Sequence, residues 1–412
     1  MFNGKQNKKK IIAVTASVGF ACIIVASIAL GYYLNHRPTA SHTEPSEQQQ
    51  EQQATQPVQL YVRESTANWS EQQWLMDVPL ESVTKIHFVK QSASDGIFSW
   101  NFDGFNCKQL KDGSVYFVVG ADRVKITGSM EAGFANMPNL TEIKGTELLD
   151  LSEVENISRL FENDTDLVSI NMNFSECENI KKADAMFAGC ENLTSIDLSQ
   201  LDLKNVTSLT DMFKNCYKAS VVSLPKIGAV KDISGMFQNV GIGADRQTQI
   251  LGNLNTAACE KMVETFAGSN LYSYHLVENL NTQSLINAER MFFRSNFTEI
   301  NLSKWQTQNL KNTRKMFAES MELMRCDLSN WSVPELEYCD RMFDLCTSLQ
   351  NVNLNWTDIK HIKDMSFMFA ENLALESIDL TCFDIAEQID VSFNILAACD
   401  ESIEKKGQVF AR

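Results

Sequence analysis

A chain of 412 residues, 44% of them hydrophobic, is long enough to bury a sizeable core, and it carries a net charge of −16. That acidity disfavours nucleic acid and anionic lipid surfaces as partners, since both present like charge. Acidity that merely keeps an elongated molecule soluble is the other reading.

Residues 1–10 hold Lys5, Lys8, Lys9 and Lys10 and no acid. Ile11 to Leu34 follows as an apolar stretch without charge, long enough for one transmembrane helix. The basic flank places 1–10 in the cytoplasm and the remainder outside, as a signal-anchored, single-pass cell-membrane protein. Cleavage near Ser27-x-Ala29, giving a secreted protein, is the alternative. Residues 35–58, with the run Glu47-Gln48-Gln49-Gln50-Glu51-Gln52-Gln53, offer almost nothing to bury and read as a disordered tether.

Residues 59–128 read as an N-terminal cap region. Val83 to Val89 and Ser114 to Val119, the latter just after the turn at Asp112-Gly113, have the β-branched and aromatic content of strands.

From 129 to 399 one phrase recurs. Phe134, Phe161, Phe187, Phe213, Phe237, Phe266, Phe292, Phe317, Phe343 and Phe369 are spaced by 27, 26, 26, 24, 29, 26, 25, 26 and 26 residues, with a degraded copy at Leu396. A fixed period of this length means a solenoid. Val206, Leu209, Met212 and Phe213 fall on one face of a short helix, and Leu193-x-x-Ile196-x-Leu198 alternates as a short strand does. The expected fold class is an α/β solenoid, leucine-rich-repeat-like, of about eleven strand-plus-helix turns. Its N-terminal cap and one transmembrane helix precede it, and Asp400 to Arg412 closes it as a C-terminal cap.

Eleven cysteines in a secreted chain would ordinarily imply disulfides. Cys190, Cys216, Cys346 and Cys399 instead occupy the slot three residues after the anchor, where other coils place Asp164, Ser269, Ser295, Ser320 and Asn372. Such a ladder of small polar groups satisfies backbone atoms inside the coil, so free, buried thiols are expected.

The five histidines are scattered and no nucleophile, phosphate-loop or metal-ligand motif stands out; neither enzymatic activity, cofactor nor metal is expected. The candidate ligand contacts are Asn171, Asp197, His275, Asn301, Asp327, Asn353 and Asp379, with Ser223 in the same series. They lie between the two apolar strand positions and, in register, would make a polar stripe. A solvated sheet face with no ligand produces the same pattern. The 29-residue interval contains Gly241-Ile242-Gly243-Ala244-Asp245-Arg246, either a binding loop or a relaxed repeat.

The phrase Met-Phe-x-x-Cys-x-x-Leu-x-x-Ile-x-Leu-Ser-x-Trp, carried by Cys346 to Leu354 with Trp356, by Leu328-Ser329-Asn330-Trp331 and by Leu302-Ser303-Lys304-Trp305, resembles the BspA-type leucine-rich repeat of bacterial surface proteins. The resemblance covers roughly residues 129 to 399. It implies surface display, adhesion to an extracellular protein or glycan ligand, and no catalytic residues. Leu201, Ile227 and Phe383 replace the Trp in other coils, and the anchor is N-terminal rather than a C-terminal wall signal. The expected function is therefore a membrane-anchored, extracytoplasmic protein that binds such a ligand through its solenoid face. The alternative is a structural envelope protein acting by lateral self-association.

Overall fold

The structure, a computed structural model, describes residues 62–65, 68–91, 96, 98–272 and 275–411, within one compact unit, Leu60–Arg412. The expected tail 1–10, span 11–34 and tether 35–58 lie outside the described residues.

The coils are built from turns where helices were expected. Around Phe187, Ala185 and Gly189 have φ of 52° and 76°, both in the left-handed region, which a type II turn requires at its third position, here Gly189 in the turn 187–190. The Ala188 N–H donates to Ala185 O at 3.1 Å and the Cys190 N–H to Phe187 O at 3.1 Å. The alternate N–H groups of Ala185, Phe187 and Gly189 donate instead to Thr210, Met212 and Lys214 O of the following coil at 2.8, 2.9 and 2.8 Å. Left-handed residues recur two before and two after the anchor in all eleven coils, from Ala132 and Asn136 to Asn394 and Ala398. Every second amide is thus bonded within its coil and every other amide between coils.

This corrects the α/β coil to a mostly-β one. A helix would spend all its amides internally and leave nothing to bind the next coil, and so short a helix is marginal in water. Val206, Leu209, Met212 and Phe213 are nevertheless all buried, because the turn ladder also returns side chains inward. The α-helix among the described residues is α1, His275–Glu278.

The transmembrane helix and the single-pass membrane location expected from residues 11–34 find no support in the structure, whose described residues do not include that stretch. Among the described residues no helix is long and apolar enough to cross a membrane.

Pairing between coils is parallel. Strands β9 (Ser195–Asp197), β11 (Val221–Ser223) and β13 (Gln249–Leu251) form one three-stranded sheet, and β14 (Glu299–Asn301), β15 (Arg325–Asp327) and β16 (Asn351–Asn353) another. A second line of single bridges links Ser208, Asp232, Lys261, Asn287, Asn312, Tyr338 and Asp364 in turn.

Inside, the ten anchor phenylalanines stack in one file, with ring centroids 5.1–6.0 Å apart and planes within 3–21°; these separations suit offset stacking. Trp305, Trp331 and Trp356 form a second file at 6.1 and 5.5 Å. Their Nε1 atoms donate to Val277, Leu302 and Leu328 O at 3.1, 2.9 and 3.0 Å, so each indole satisfies a carbonyl of the preceding coil.

The slot after the anchor forms a third file. Cys190, Cys216, Cys346 and Cys399 Sγ donate to Phe161, Phe187, Phe317 and Phe369 O at 3.0, 3.3, 3.1 and 2.9 Å. Ser295 and Ser320 Oγ and Asn372 Nδ2 do the same to Phe266, Phe292 and Phe343 O. The described cysteines are free, and eight of the ten are buried.

The N-terminal end is closed by a mixed sheet. β3 (Phe98–Phe102), β4 (Phe105–Gln109) and β5 (Ser114–Val118) form an antiparallel meander, and β2 (Lys85–Val89) runs parallel between β5 and β7 (Glu142–Lys144). Trp69, Trp74, Phe88 and Phe117 make an aromatic plug. It reaches the spine where Trp74 meets Phe134 at 5.8 Å and donates to Gly133 O at 2.9 Å. At the other end β20 (Glu404–Lys406) pairs with β18 (Ser377–Asp379); its charged side chains discourage further strand addition.

Candidate functional site

The strand-face positions are hydrogen-bonded in separate sheets rather than in one. Asn301, Asp327 and Asn353 stand in register across β14–β16. Asp197 faces Ser223 and then Leu251 across β9–β13, while Asp379 faces Lys406. Asn171 lies outside any strand, and His275 sits on α1, where its Nδ1 is 3.0 Å from Glu278 Oε2. That placement corrects the strand position expected for His275: the chain turns helical at the point where the repeat phrase reads Tyr274-His275-Leu276.

Most of these side chains fold back on their own turn. Oδ1 of Asp197, Asn301, Asp327 and Asp379 accepts the N–H of the residue two places on, Ser199, Ser303, Ser329 and Thr381, each at 3.0 Å. Asn301 and Asp379 also accept the hydroxyls of Ser303 and Thr381 at 2.6 Å. These are Asx turns. The backbone N–H of Ser199, and the hydroxyl and N–H of Thr381, hold the Asp197 and Asp379 carboxyls below the usual range. The turn chemistry accounts for acids there without a ligand.

The geometry assembles a site elsewhere, at the long interval. After Val240 the chain leaves the repeat, with the Gly241 N–H on Cys216 O at 3.1 Å and the Gly243 N–H on Tyr217 O at 2.9 Å, and it rejoins where the Thr248 N–H meets Asn270 O at 2.7 Å. Thr248 Oγ1 donates to Ala219 O at 2.6 Å. Gly241 has φ of 75°, and a Cβ there would lie 1.9 Å from Thr248 Oγ1, so no other residue fits without moving the loop.

The diverted segment overhangs a cavity of about 610 Å³ lined by Thr194, Lys218, Ser220, Gly243, Ala244, Asp245 and Arg246, within the span of about 300–1,000 Å³ typical of ligand pockets. The floor is the pair of residues that lead into β9 and β11: the Ser220 N–H and Oγ both donate to Thr194 O, at 2.9 and 3.1 Å. Lys218 Nζ is held by Asn192 Oδ1 at 2.5 Å. Asp245 and Arg246 are exposed and make no ion pair among the described residues. The lining thus offers a carboxylate, a guanidinium, an ammonium, hydroxyls and loop backbone, suited to holding a polar chain by several hydrogen bonds. Thr194, Lys218 and Ser220 belong to ordinary coils; the one sequence signal for this pocket was the lengthened interval itself.

Among the described residues no group of three or more His, Cys, Asp or Glu is placed to hold a metal ion.

The repeat family described as Mycoplasma protein of unknown function, DUF285, matches residues 128–242, 231–356, 260–383 and 322–399. No curated protein and no solved structure matches the chain.

Proposed function

The chain belongs to the DUF285 family, whose overlapping matches run from residue 128 to residue 399, and from that premise we propose that it is an interaction solenoid binding a protein or glycan ligand at the cavity beneath the 241–246 loop. The observation that carries this reading is the cavity itself, formed where the repeat is interrupted and lined by unpaired Asp245 and Arg246. The resemblance to BspA-type repeats adds adhesion as the context of such binding. The test is chemical cross-linking of the full-length chain in its native surroundings, beside a variant carrying Asp245→Ala and Arg246→Ala. A partner captured by the unchanged protein and lost from the variant supports the reading; equal capture by both removes the cavity from consideration.

Lateral association of copies is the second reading. Tyr272 and Leu373 are each 66% exposed and Phe393 57%, apolar side chains that a second copy would cover. Concentration-dependent sedimentation lost on Leu373→Ser and Phe393→Ser would move the conclusion to self-assembly.

A further inference from the structure

The face opposite in chemistry to the acidic whole lies on the turn ladder of three successive coils. Arg290, Lys315 and Arg341 occupy the left-handed position two before the anchor, with φ of 53°, 52° and 54°. Consecutive coils are joined there by the Arg290 N–H to Arg314 O at 2.9 Å and the Lys315 N–H to Asp340 O at 3.1 Å, which puts these side chains one rung apart. With Arg314 and Glu289 they line a cavity of about 170 Å³.

The surrounding acids orient the guanidinium groups without filling the cavity. Glu264 lies 3.0 Å from Arg290, Asp340 2.8 Å from Arg314 and Asp344 2.8 Å from Arg341, and none of the three lines the cavity. Arg290 and Arg341 are also braced over the Phe293 and Phe367 rings at 4.3 and 4.4 Å. Glu289 is engaged by Asn312 Nδ2 at 3.1 Å. Lys315 has no ion-pair partner among the described residues. Four cations and one hydrogen-bonded carboxylate therefore face one small space in a chain of net charge −16.

We propose that this cavity binds a tetrahedral oxyanion, the phosphate or sulfate group of a ligand. Donors converging from three rungs match an anion with oxygens on several sides better than a planar carboxylate, which a single bidentate arginine satisfies. The site is independent of the 241–246 loop.

The test is a calorimetric titration of the full-length chain with inorganic phosphate and, separately, sodium sulfate and sodium acetate, at constant ionic strength balanced with chloride. Saturable binding of phosphate or sulfate, weakened about tenfold or more in Lys315→Asn and in Arg341→Gln, is expected. Asn suits a left-handed backbone better than Lys, so loss in Lys315→Asn is not a folding defect, and its thermal unfolding would verify that. An unsaturable wild-type titration, acetate binding as tight as phosphate, or an unchanged affinity in both variants would overturn the assignment.

Discussion

Coils up to Phe266 and coils from Phe292 onward hold one backbone with two kinds of residue. Two places after the anchor, the earlier coils carry Asn136, Asn163, Gly189, Asn215, Asn239 and Gly268, the residues that enter the left-handed region most readily. The later ones carry Arg294, Glu319, Leu345, Glu371 and Ala398 at φ of 56–60°. In the first group local preference and ladder agree. In the second the ladder overrides preference, helped by contacts the first lacks: the three-tryptophan file and the Arg294–Glu319 pair, 2.6 Å apart across coils.

The sharpest test of this contrast is the spine. Phe187→Ala and Phe343→Ala should each cost about 3–5 kcal/mol in denaturant unfolding, since both rings stack on two neighbours. A clearly smaller loss at Phe343 would show that the tryptophan file alone supports the later coils. Trp331→Phe should cost about 0.5–1.5 kcal/mol, chiefly by removing the indole hydrogen bond to buried Leu302 O, which keeps the Trp305 N–H. A loss below that range would mean the indole file contributes area only.

Asp164 breaks the contrast from the other side, an acid in the donor slot of an early coil. It is fully buried, its Oδ1 accepts the Met137 N–H at 2.9 Å, and its Oδ2 has no partner. Burial pushes its carboxyl well above the ordinary range. The folded chain therefore holds this proton more tightly than the unfolded chain does. Its contribution is complete below the unfolded carboxyl value of about 3.9 and is lost as pH rises toward the raised folded value. Asp164→Asn, which places there the residue that serves at Asn372, should stabilise by about 1–2 kcal/mol at neutral pH, the order of one unsatisfied buried group. The gain should vanish near pH 4 in thermal unfolding; a gain that persists unchanged there would contradict the protonation argument.

The smallest effect belongs to the left-handed positions themselves. Leu345→Asn should stabilise and Asn215→Leu should destabilise, each by about 1 kcal/mol. Equal and negligible changes at both sites would mean that the interlocked coils absorb the strain everywhere.

The turn ladder was visible in principle. Six successive Asn or Gly residues at one repeat position are a poor match to a helix interior, where both are weak formers, yet the spacing of Val206, Leu209, Met212 and Phe213 was equally compatible with a helix. Periodicity reports which residues face inward and not which backbone brings them there. The strand-face acids were misleading for a related reason: Asp197 and Asp379 repeat because each turn needs an acceptor for the amide two places on, and a structural need recurring once per coil looks like a designed surface. The two cavities left weaker traces. A lengthened interval marked the first, but Lys218 and Arg246 are 28 residues apart, and nothing local predicts that they share a wall.

Sequence alone carried the period, the identity of the phenylalanine spine and the small polar slot behind it, because each is a chemical requirement restated in every coil. The tertiary structure alone decided between helix and turn and set the register that splits the strand-face residues into separate groups. It also brought Arg290, Arg314, Lys315 and Arg341 around one space. Those outcomes depend on hydrogen bonds between coils some 25 residues apart, and such bonds exist only once the stack has formed.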